Sequence, residues 1–415
     1  MDRRLYLKQF MIILSGNGAA QAANLLSYPF LARLYTPHEF GVFATFVAAA
    51  AIPSSVACGR FELAVTTAPR WGRFGILWLC VAVAAGVGLL SVFGAAIYWQ
   101  LSETAAHPSL PVLLGLSIFL TGVTSAQSMF LMRHDCYRAT SSSLLVRTGG
   151  AVVVQLALAF VSATALSLIL GFVFGLLAQA AMLALIIWRR VRPGKPKLRD
   201  MRAMFLRFRH QVTVDIPSTI IAAFSLNLVT FMLGGLYGQR VVGFYSIGQR
   251  LAITPLQLFN DALGQIFFQK AARARETKGH FWDEMKFSLL TSGLISLGVL
   301  VIILLVARPF IVFYLGAQWA PAADILVILA PMLAVRSLTM SIATTVFVMR
   351  AAHWLFIHNV ANVAMTIAAY AFALFFGLGP AAFLSVAALL IGFEYAVFAL
   401  FLIWASRRQH RRHGR

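Results

Sequence analysis

The sequence is poor in charged residues, and above all in acids. Only 11% of its 415 residues are charged, with 13 acidic residues against 34 Lys and Arg. A soluble domain usually carries about a quarter of its residues charged, whereas 60% of this chain is hydrophobic. The composition therefore excludes a soluble globule and predicts a membrane protein.

Cysteine and catalytic motifs are also scarce. The three cysteines, Cys58, Cys80 and Cys136, show no metal-ligand spacing, so disulfides, a zinc site and thiol chemistry are not expected. The sequence has no phosphate-binding glycine loop, no His-Glu-x-x-His helix and no Gly-x-Ser-x-Gly turn. Its hydrophilic segments are too short to hold a catalytic domain. We therefore predict a protein that is not an enzyme and that binds no metal or cofactor.

Long apolar runs are what the sequence has in abundance. Runs of about 20 residues, long enough for a helix to cross a bilayer, form two sets of six. We predict an all-α polytopic membrane protein with 12 transmembrane helices in two six-helix bundles related by pseudo-two-fold symmetry. The runs cover residues 9–33, 40–60, 74–99, 110–132, 143–162 and 165–188, then 213–236, 242–269, 287–314, 323–349, 354–377 and 380–405. The predicted organisation is an N-terminal bundle at 1–190, a basic cytoplasmic linker at 191–212, a C-terminal bundle at 213–406 and a basic cytoplasmic tail at 407–415.

An internal repeat supports this division into halves. LYTPHEFGVFATFVAAAAIP at 34–53 returns as LYGQRVVGFYSIGQRLAITP at 236–255, a shift of 202 residues (236 minus 34). Repeated halves of this kind are typical of transporters. The identical pairs include Leu34 with Leu236, Tyr35 with Tyr237, Gly41 with Gly243, and Pro53 with Pro255.

The basic residues predict the orientation in the membrane. If all twelve runs span, most of the 34 Lys and Arg residues fall on the side that holds both termini. By the positive-inside rule, both termini are expected in the cytoplasm. Charges that border spans favour anionic membrane lipids as partners, and nucleic acid is not expected.

Polar residues recur along single faces of predicted spans. Such groups are costly at membrane depth, and two interpretations stay open: they line a cavity that binds sugars, or they tie neighbouring helices together by hydrogen bonds. One stripe comprises Asn17, Gln21, Asn24 and Tyr28, a second Asn359, Asn362, Thr366 and Tyr370, and the seventh run adds Asp215, Asn227 and Thr230.

Two arginines, Arg250 and Arg336, fall inside predicted spans. Buried cations in a chain with few acids predict an anionic substrate such as a phosphate or diphosphate. The alternative is a structural ion pair with Glu394 or Asp261. Further candidates for the anion are Arg60, next to Glu62, and Arg147, both at the predicted inner mouth. Glu394 and Asp215 are candidates for coupling to a proton or sodium gradient.

Specific motifs resemble a known family. The stretch NLLSYPFLARLYTPHEFGVFATF, followed by RFELAV, and the later VVGFYSIGQRLAITPLQLFNDALGQIFFQKAAR are similar to the oligosaccharide flippases, or polysaccharide biosynthesis proteins. This family belongs to the multidrug/oligosaccharidyl-lipid/polysaccharide exporter (MOP) superfamily. The residues that carry most of the resemblance are Pro37, Phe40 and Gly41 in the first repeat and Gly243, Tyr245 and Ser246 in the second.

The resemblance implies a specific transport function. It implies two bundles around a cavity that opens alternately to each side of the bacterial inner membrane. The expected substrate is an undecaprenyl-diphosphate-linked oligosaccharide, moved to the periplasmic leaflet for O-antigen, capsule or exopolysaccharide synthesis. A polysaccharide polymerase and export machinery are expected partners of what is predicted to be a monomer.

Three rival functions stay open. A drug or cation exporter of the same superfamily would need acidic or aromatic groups in its cavity, whereas the deepest charges here are mostly arginines. A membrane glycan polymerase is disfavoured by the short outer loops. A transporter of the major facilitator type is disfavoured because RFELAVTTAPRWGRFG lacks the charged Gly-x-x-x-Asp-Arg type of loop.

Overall fold

The computed structural model describes residues 3–101, 107–191, 197–349, 351 and 353–413. Within these ranges the chain is 91% helical and contains no strand. In a helix the backbone N–H and C=O groups hydrogen-bond to one another within the segment. Because a bilayer offers these groups no water, long apolar runs that cross it form helices. The predicted all-α membrane fold is confirmed.

The chain divides into two compact units, Met1–Ala223 and Phe224–Arg415. The boundary lies within one long helix, α8. The N-terminal unit contains α1 (Arg3–Leu34), α2 (Pro37–Ser54), α3 (Phe61–Thr67), α4 (Arg73–Leu101), α5 (Leu110–Arg133), α6 (Tyr137–Ala159), α7 (Ala165–Val191) and the first part of α8 (Leu198–Tyr237). The C-terminal unit contains the rest of α8, then α9 (Gln239–Lys278), α10 (Trp282–Leu315), α11 (Ala320–Ile342), α12 (Thr345–Val348), α13 (His353–Phe376) and α14 (Pro380–His413).

Nine helices in the described ranges are long and apolar enough to cross a membrane. They coincide with nine of the twelve predicted runs. The other three runs, at 9–33, 40–60 and 242–269, fall on α1, α2 and α9, which are not among the nine. Polar residues lower the hydropathy of α1 and α9, and α2 has only 18 residues, with a proline near each end.

The repeat seen in the sequence has a structural counterpart. Helix α2 begins at Pro37 and α9 at Gln239, again 202 residues apart (239 minus 37). Thr36 caps α2 by accepting a hydrogen bond from the backbone N–H of Glu39 at 3.3 Å. At the equivalent position before α9 stands Gly238, with a φ of 80° that glycine adopts without strain. Both repeats therefore turn sharply at the same place.

The repeated tyrosines make equivalent contacts. Tyr35 Oη donates a hydrogen bond to the carbonyl oxygen of Gln155 at 2.7 Å, in α6. Tyr237 Oη donates to the carbonyl oxygen of Leu378 at 2.8 Å, just after α13. Because α6 and α13 are each the fifth long helix of their unit, both tyrosines fasten the end of a first helix to a fifth one.

The two repeats diverge after their matching prolines. Helix α2 ends at Ser54, one residue beyond Pro53, whereas α9 continues through Pro255 to Lys278. The first repeat then forms a turn in which Gly59 and Arg60 have φ values of 57° and 63°. Proline removes a backbone hydrogen-bond donor in both copies, but only in the first does a following glycine, Gly59, adopt a positive φ that turns the chain.

Close helix contact at glycine is clearest between α6 and α7. A Cβ added to Gly175 would lie 2.4 Å from the carbonyl oxygen of Arg147, and one added to Gly171 would lie 2.4 Å from the Gln155 side chain. Side chains larger than hydrogen do not fit at these positions. The small-residue contact is typical of helix packing in membranes, where backbones approach closely.

Each unit has its own apolar core. In the N-terminal unit Phe130, Leu183 and Met204 are among the buried residues, and in the C-terminal unit Phe281 and Leu402. Met204 lies in the segment predicted as a basic linker, which forms the first turns of α8. Its full burial shows that the apolar face of this basic helix packs into the core of the N-terminal unit.

Candidate functional site

Arg336 lies in an aromatic environment in the C-terminal unit. Its guanidinium carbon is 5.9 Å from the centroid of the Tyr395 ring, a distance typical of a cation–π contact. Tyr245 is a further electrostatic neighbour of Arg336, and both tyrosines are buried. The sequence predicted the position of Arg336 inside a span but did not predict the tyrosines around it.

Glu394 pairs with a histidine. His358 Nδ1 lies 2.6 Å from Glu394 Oε1, and this contact joins α13 to α14. Both side chains are almost completely buried, at 4% and 7% exposure. The His358 ring stacks on Phe398, with centroids 4.4 Å apart and an interplanar angle of 11°. The structure gives Glu394 a histidine partner, where the sequence alternative named an arginine.

The buried face of α13 begins with this histidine and continues in steps of four residues. Asn362 Oδ1 accepts a hydrogen bond from Ser225 Oγ at 2.7 Å, which ties α13 to α8. Thr366 Oγ1 donates to the carbonyl oxygen of Asn362 at 2.8 Å. Asn359 and Tyr370, also assigned to this stripe from sequence, are only partly buried. For Asn362, the contact with Ser225 is of the helix-tying kind.

The polar stripe on α1 has a different character. Asn17 is exposed, Gln21 and Asn24 are partly buried, and Tyr28 is buried. Ser27 adds to this stripe, because its Oγ donates a hydrogen bond to the carbonyl oxygen of Asn24 at 2.7 Å. The amide groups toward the start of the stripe are therefore the most accessible to a ligand.

Arg60 and Glu62 stand at the break between α2 and α3. Arg60 Nη1 is 3.4 Å from Glu62 Oε1, and the second carboxylate oxygen of Glu62 is buried without a hydrogen-bond partner in the described part of the chain. Burial raises the pKa of the Glu62 carboxyl above its ordinary value of 4.5, an effect that Arg60 partly offsets and the nearby Asp215 reinforces. The break between α2 and α3 therefore brings together Arg60 and Asp215, which were predicted from sequence, and Glu62, which lies two positions after Arg60.

The remaining predicted residues are dispersed. Arg147 in α6 lies 5.7 Å from the centroid of the Phe172 ring on α7. Arg250 in α9 and Asn227 in α8 are both partly buried. In the N-terminal unit the structure therefore brings together Arg60, Glu62 and Asp215. In the C-terminal unit it brings together Arg336 and two tyrosines.

Two functional candidates were missed from sequence. His358 precedes Asn362 by four residues, so a stripe that started one position earlier than Asn359 would have included it. Tyr395 directly follows Glu394, but nothing in the sequence indicates that its ring meets Arg336 of α11. Among the described residues, no group of three or more His, Cys, Asp or Glu side chains could hold a metal ion.

Comparisons with known structures identify the fold. The chain is similar to the lipid II flippase MurJ in an inward closed conformation, with a TM-score of 0.72 and 14% identity over 94% of this chain and 87% of that one. It is also similar to an inward-facing multidrug resistance MATE family transporter of the MOP superfamily, with a TM-score of 0.64 and 13% identity over 98% and 95% of the two chains. A third similar structure is a MOP superfamily transporter from Pyrococcus furiosus, described by the reverse polarity of its binding pocket, with a TM-score of 0.59 and 14% identity over 98% and 95%.

The apolar helices and this similarity define a multi-pass membrane protein with the fold of the MurJ and MATE structures. The family model for polysaccharide biosynthesis proteins matches residues 30–324. The chain therefore belongs to the polysaccharide biosynthesis protein family, as the sequence motifs predicted. No curated protein sequence matches the chain significantly.

Proposed function

We propose that this protein is a flippase that moves undecaprenyl-diphosphate-linked oligosaccharides from the cytoplasmic to the periplasmic leaflet of the bacterial inner membrane. The observation that carries the proposal is the match to the polysaccharide biosynthesis family over residues 30–324. The fold shared with a lipid II flippase adds support, since that protein is named for moving a lipid-linked glycan precursor. The product would serve O-antigen, capsule or exopolysaccharide synthesis.

The arginines supply the charge that a lipid diphosphate requires. Within the described part of the chain, neither Arg336 nor Arg147 takes part in an ion pair. Each instead lies over an aromatic ring. A guanidinium in a low-dielectric environment binds an oxyanion by paired, charge-assisted hydrogen bonds. We assign the diphosphate to Arg336, with Arg250, Arg147 and Arg60 as further contacts along its route.

The sugar part of the substrate needs neutral hydrogen-bonding groups. Asn17, Gln21 and Asn24 on α1 present amides that can both donate to and accept from hydroxyl groups. Because polar side chains are costly against lipid, the exposed Asn17 and the partly buried Gln21 and Asn24 support a hydrated face of α1 that sugars can reach. Asn227 and Asn359, which are partly buried, are the corresponding candidates in the C-terminal unit.

The proposed orientation places both termini and the basic start of α8 in the cytoplasm. Anionic lipids of the inner leaflet would bind the arginines of this segment. A polymerase and an export complex would take the product on the periplasmic side, and transport would draw on a proton or sodium gradient.

Deletion of the gene followed by lipid analysis tests the function directly. A flippase defect leaves complete repeat units on their lipid carrier in the cytoplasmic leaflet. Single units that accumulate on the periplasmic face would point to a polymerase and contradict the proposal. Unchanged glycans combined with new drug sensitivity would favour a drug exporter, the alternative that the fold shared with a multidrug transporter supports.

Substitution of Arg336 tests the diphosphate assignment. The Arg336→Ala variant should lose export of the surface polysaccharide by about 10- to 100-fold, because a hydrogen bond to a charged group contributes about 1.5–3 kcal/mol. Arg336→Lys should restore part of it, and Arg250→Ala should also reduce export. Arg308→Ala is a matched control, since Arg308 is exposed near the end of α10. Full export in the Arg336→Ala variant at normal abundance would contradict the assignment.

A further inference from the structure

The pair formed by His358 and Glu394 is a buried titratable group that diphosphate and sugar binding do not use. The two residues lie on adjacent helices of the same unit and are 36 positions apart in sequence. Glu394 Oε2 is buried and has no hydrogen-bond partner among the described residues. His358 is five residues into α13, about 8 Å along the helix from its start, so the path from the pair to that end is short.

The short contact requires a proton. Unprotonated imidazole nitrogen and a carboxylate oxygen both present lone pairs, and two lone pairs do not approach to the 2.6 Å that separates Nδ1 from Oε1. One proton must therefore lie between these atoms, whichever of the two formally carries it. When an imidazolium–carboxylate pair loses one proton, the neutral imidazole keeps its remaining proton and can hold it on Nδ1. The hydrogen bond between α13 and α14 then persists, and the pair gains one negative charge in a low-dielectric setting.

Among the described residues, the surroundings of the pair contain a cation but no second acid in contact with it. Helix α11 contributes Arg336, whose electrostatic neighbour Tyr395 lies next to Glu394 on α14. The neutral ring of Phe398 stacks on His358. Helix α8 contributes the neutral Ser225, which contacts α13 by its hydrogen bond to Asn362. Tyr245 of α9 lies beyond Arg336. The charged residues of α10 within the described ranges lie near its two ends and are Asp283, Glu284, Lys286 and Arg308.

We infer that His358 and Glu394 form a proton-binding site through which transport is coupled to a proton gradient. The coupling part of this inference rests on the proposed function, whereas proton binding by the pair does not. Gain or loss of the proton changes the charge beside Tyr395 and Arg336.

Infrared spectroscopy of the full-length protein in lipid bilayers tests proton binding without any substrate. The wild type should show pH-dependent absorption changes of buried carboxyl groups, and Glu394→Gln should lose one component of them, which Glu62→Gln should retain. His358→Gln should shift the pH at which the change occurs. Glu276→Gln is the control, because Glu276 is exposed on α9, and it should retain the change. A buried-carboxyl signal that persists unaltered in Glu394→Gln would overturn the inference.

Proteoliposomes test the coupling, with a fluorescent undecaprenyl-diphosphate-linked trisaccharide as the probe. In Glu394→Gln the side-chain amide can donate a hydrogen bond to His358, so the contact is preserved. The amide has no titratable proton at this position. This variant should lose the acceleration of transport by a pH gradient while it retains exchange without a gradient. A merely structural pair would leave the response to the gradient intact and would overturn the coupling. A wild type that shows the infrared change but moves no lipid would contradict the proposed function and support the proton site.

Discussion

The contact between α6 and α7 gives a prediction whose size follows from the structure. In Gly175→Ala the new Cβ would lie 2.4 Å from the carbonyl oxygen of Arg147 and 2.9 Å from the Cβ of Ala151, where ordinary contact begins at 3.4 Å. The nearest obstacle is backbone, so α6 must move away by about 1 Å and carry Arg147 with it. We expect overpacking to cost about 1–3 kcal/mol.

Thermal unfolding of the purified protein measures this cost. For a unit of this size, 1–3 kcal/mol corresponds to a Tm lower by about 2–12 °C. Gly149→Ala is the matched control, since Gly149 lies on the same helix α6 and an added Cβ there meets nothing within 4 Å. That variant should be unchanged or more stable by about 0.5–1 kcal/mol. A Gly175→Ala protein as heat-stable as the wild type would refute the close approach, and normal export at a lowered Tm would separate the packing from Arg147.

Three further predictions concern other contacts. Tyr35→Phe and Tyr237→Phe should each lower the free energy of unfolding by about 0.5–1.5 kcal/mol; the losses should add in the double variant, because the residues lie in different units, and a double variant no less stable than one single would contradict this. Glu62→Gln should abolish a loss of stability that the wild type shows as the pH rises through 4.5. Burial raises the pKa of Glu62, so the folded protein retains a proton that the unfolded chain has released. Parallel pH profiles of the unfolding midpoint for the two proteins would contradict this prediction. Arg133→Met should make the end of α3 sensitive to protease, because Arg133 donates to two carbonyl oxygens there at 2.7 and 2.6 Å; equal cleavage rates would argue against that role.

Features that depend on local pattern could be predicted from the sequence. The apolar runs predicted the helices. The internal repeat that pairs Tyr35 with Tyr237 predicted two helices that begin at equivalent positions. The break after Pro53 was not predicted, because Pro255 has the same local effect on the backbone and yet lies within a continuous helix. The difference depends on the residues that follow and on how they pack.

The candidate site shows the same limit. The spacing of Asn362 and Thr366 predicted a polar face on α13, but the partner of Asn362 is Ser225, 137 residues away in sequence. The partner of Glu394 is similarly remote, and a histidine among apolar residues carries no sign of which carboxylate it meets. Contacts between helices that are distant along the chain depend on the rotation of each helix about its axis, which periodicity constrains only within a broad arc.

The tyrosine contacts described above bear on how the protein is made. Tyr35 finds its acceptor on a helix that ends at Ala159, so the N-terminal unit can close while much of the C-terminal unit is still being synthesised. Tyr237 likewise closes on residues of its own unit. A nascent chain can therefore assemble as two successive modules. The halves expressed as separate polypeptides should each insert into the membrane, and an active protein recovered from such a split gene would show that the covalent connection is dispensable.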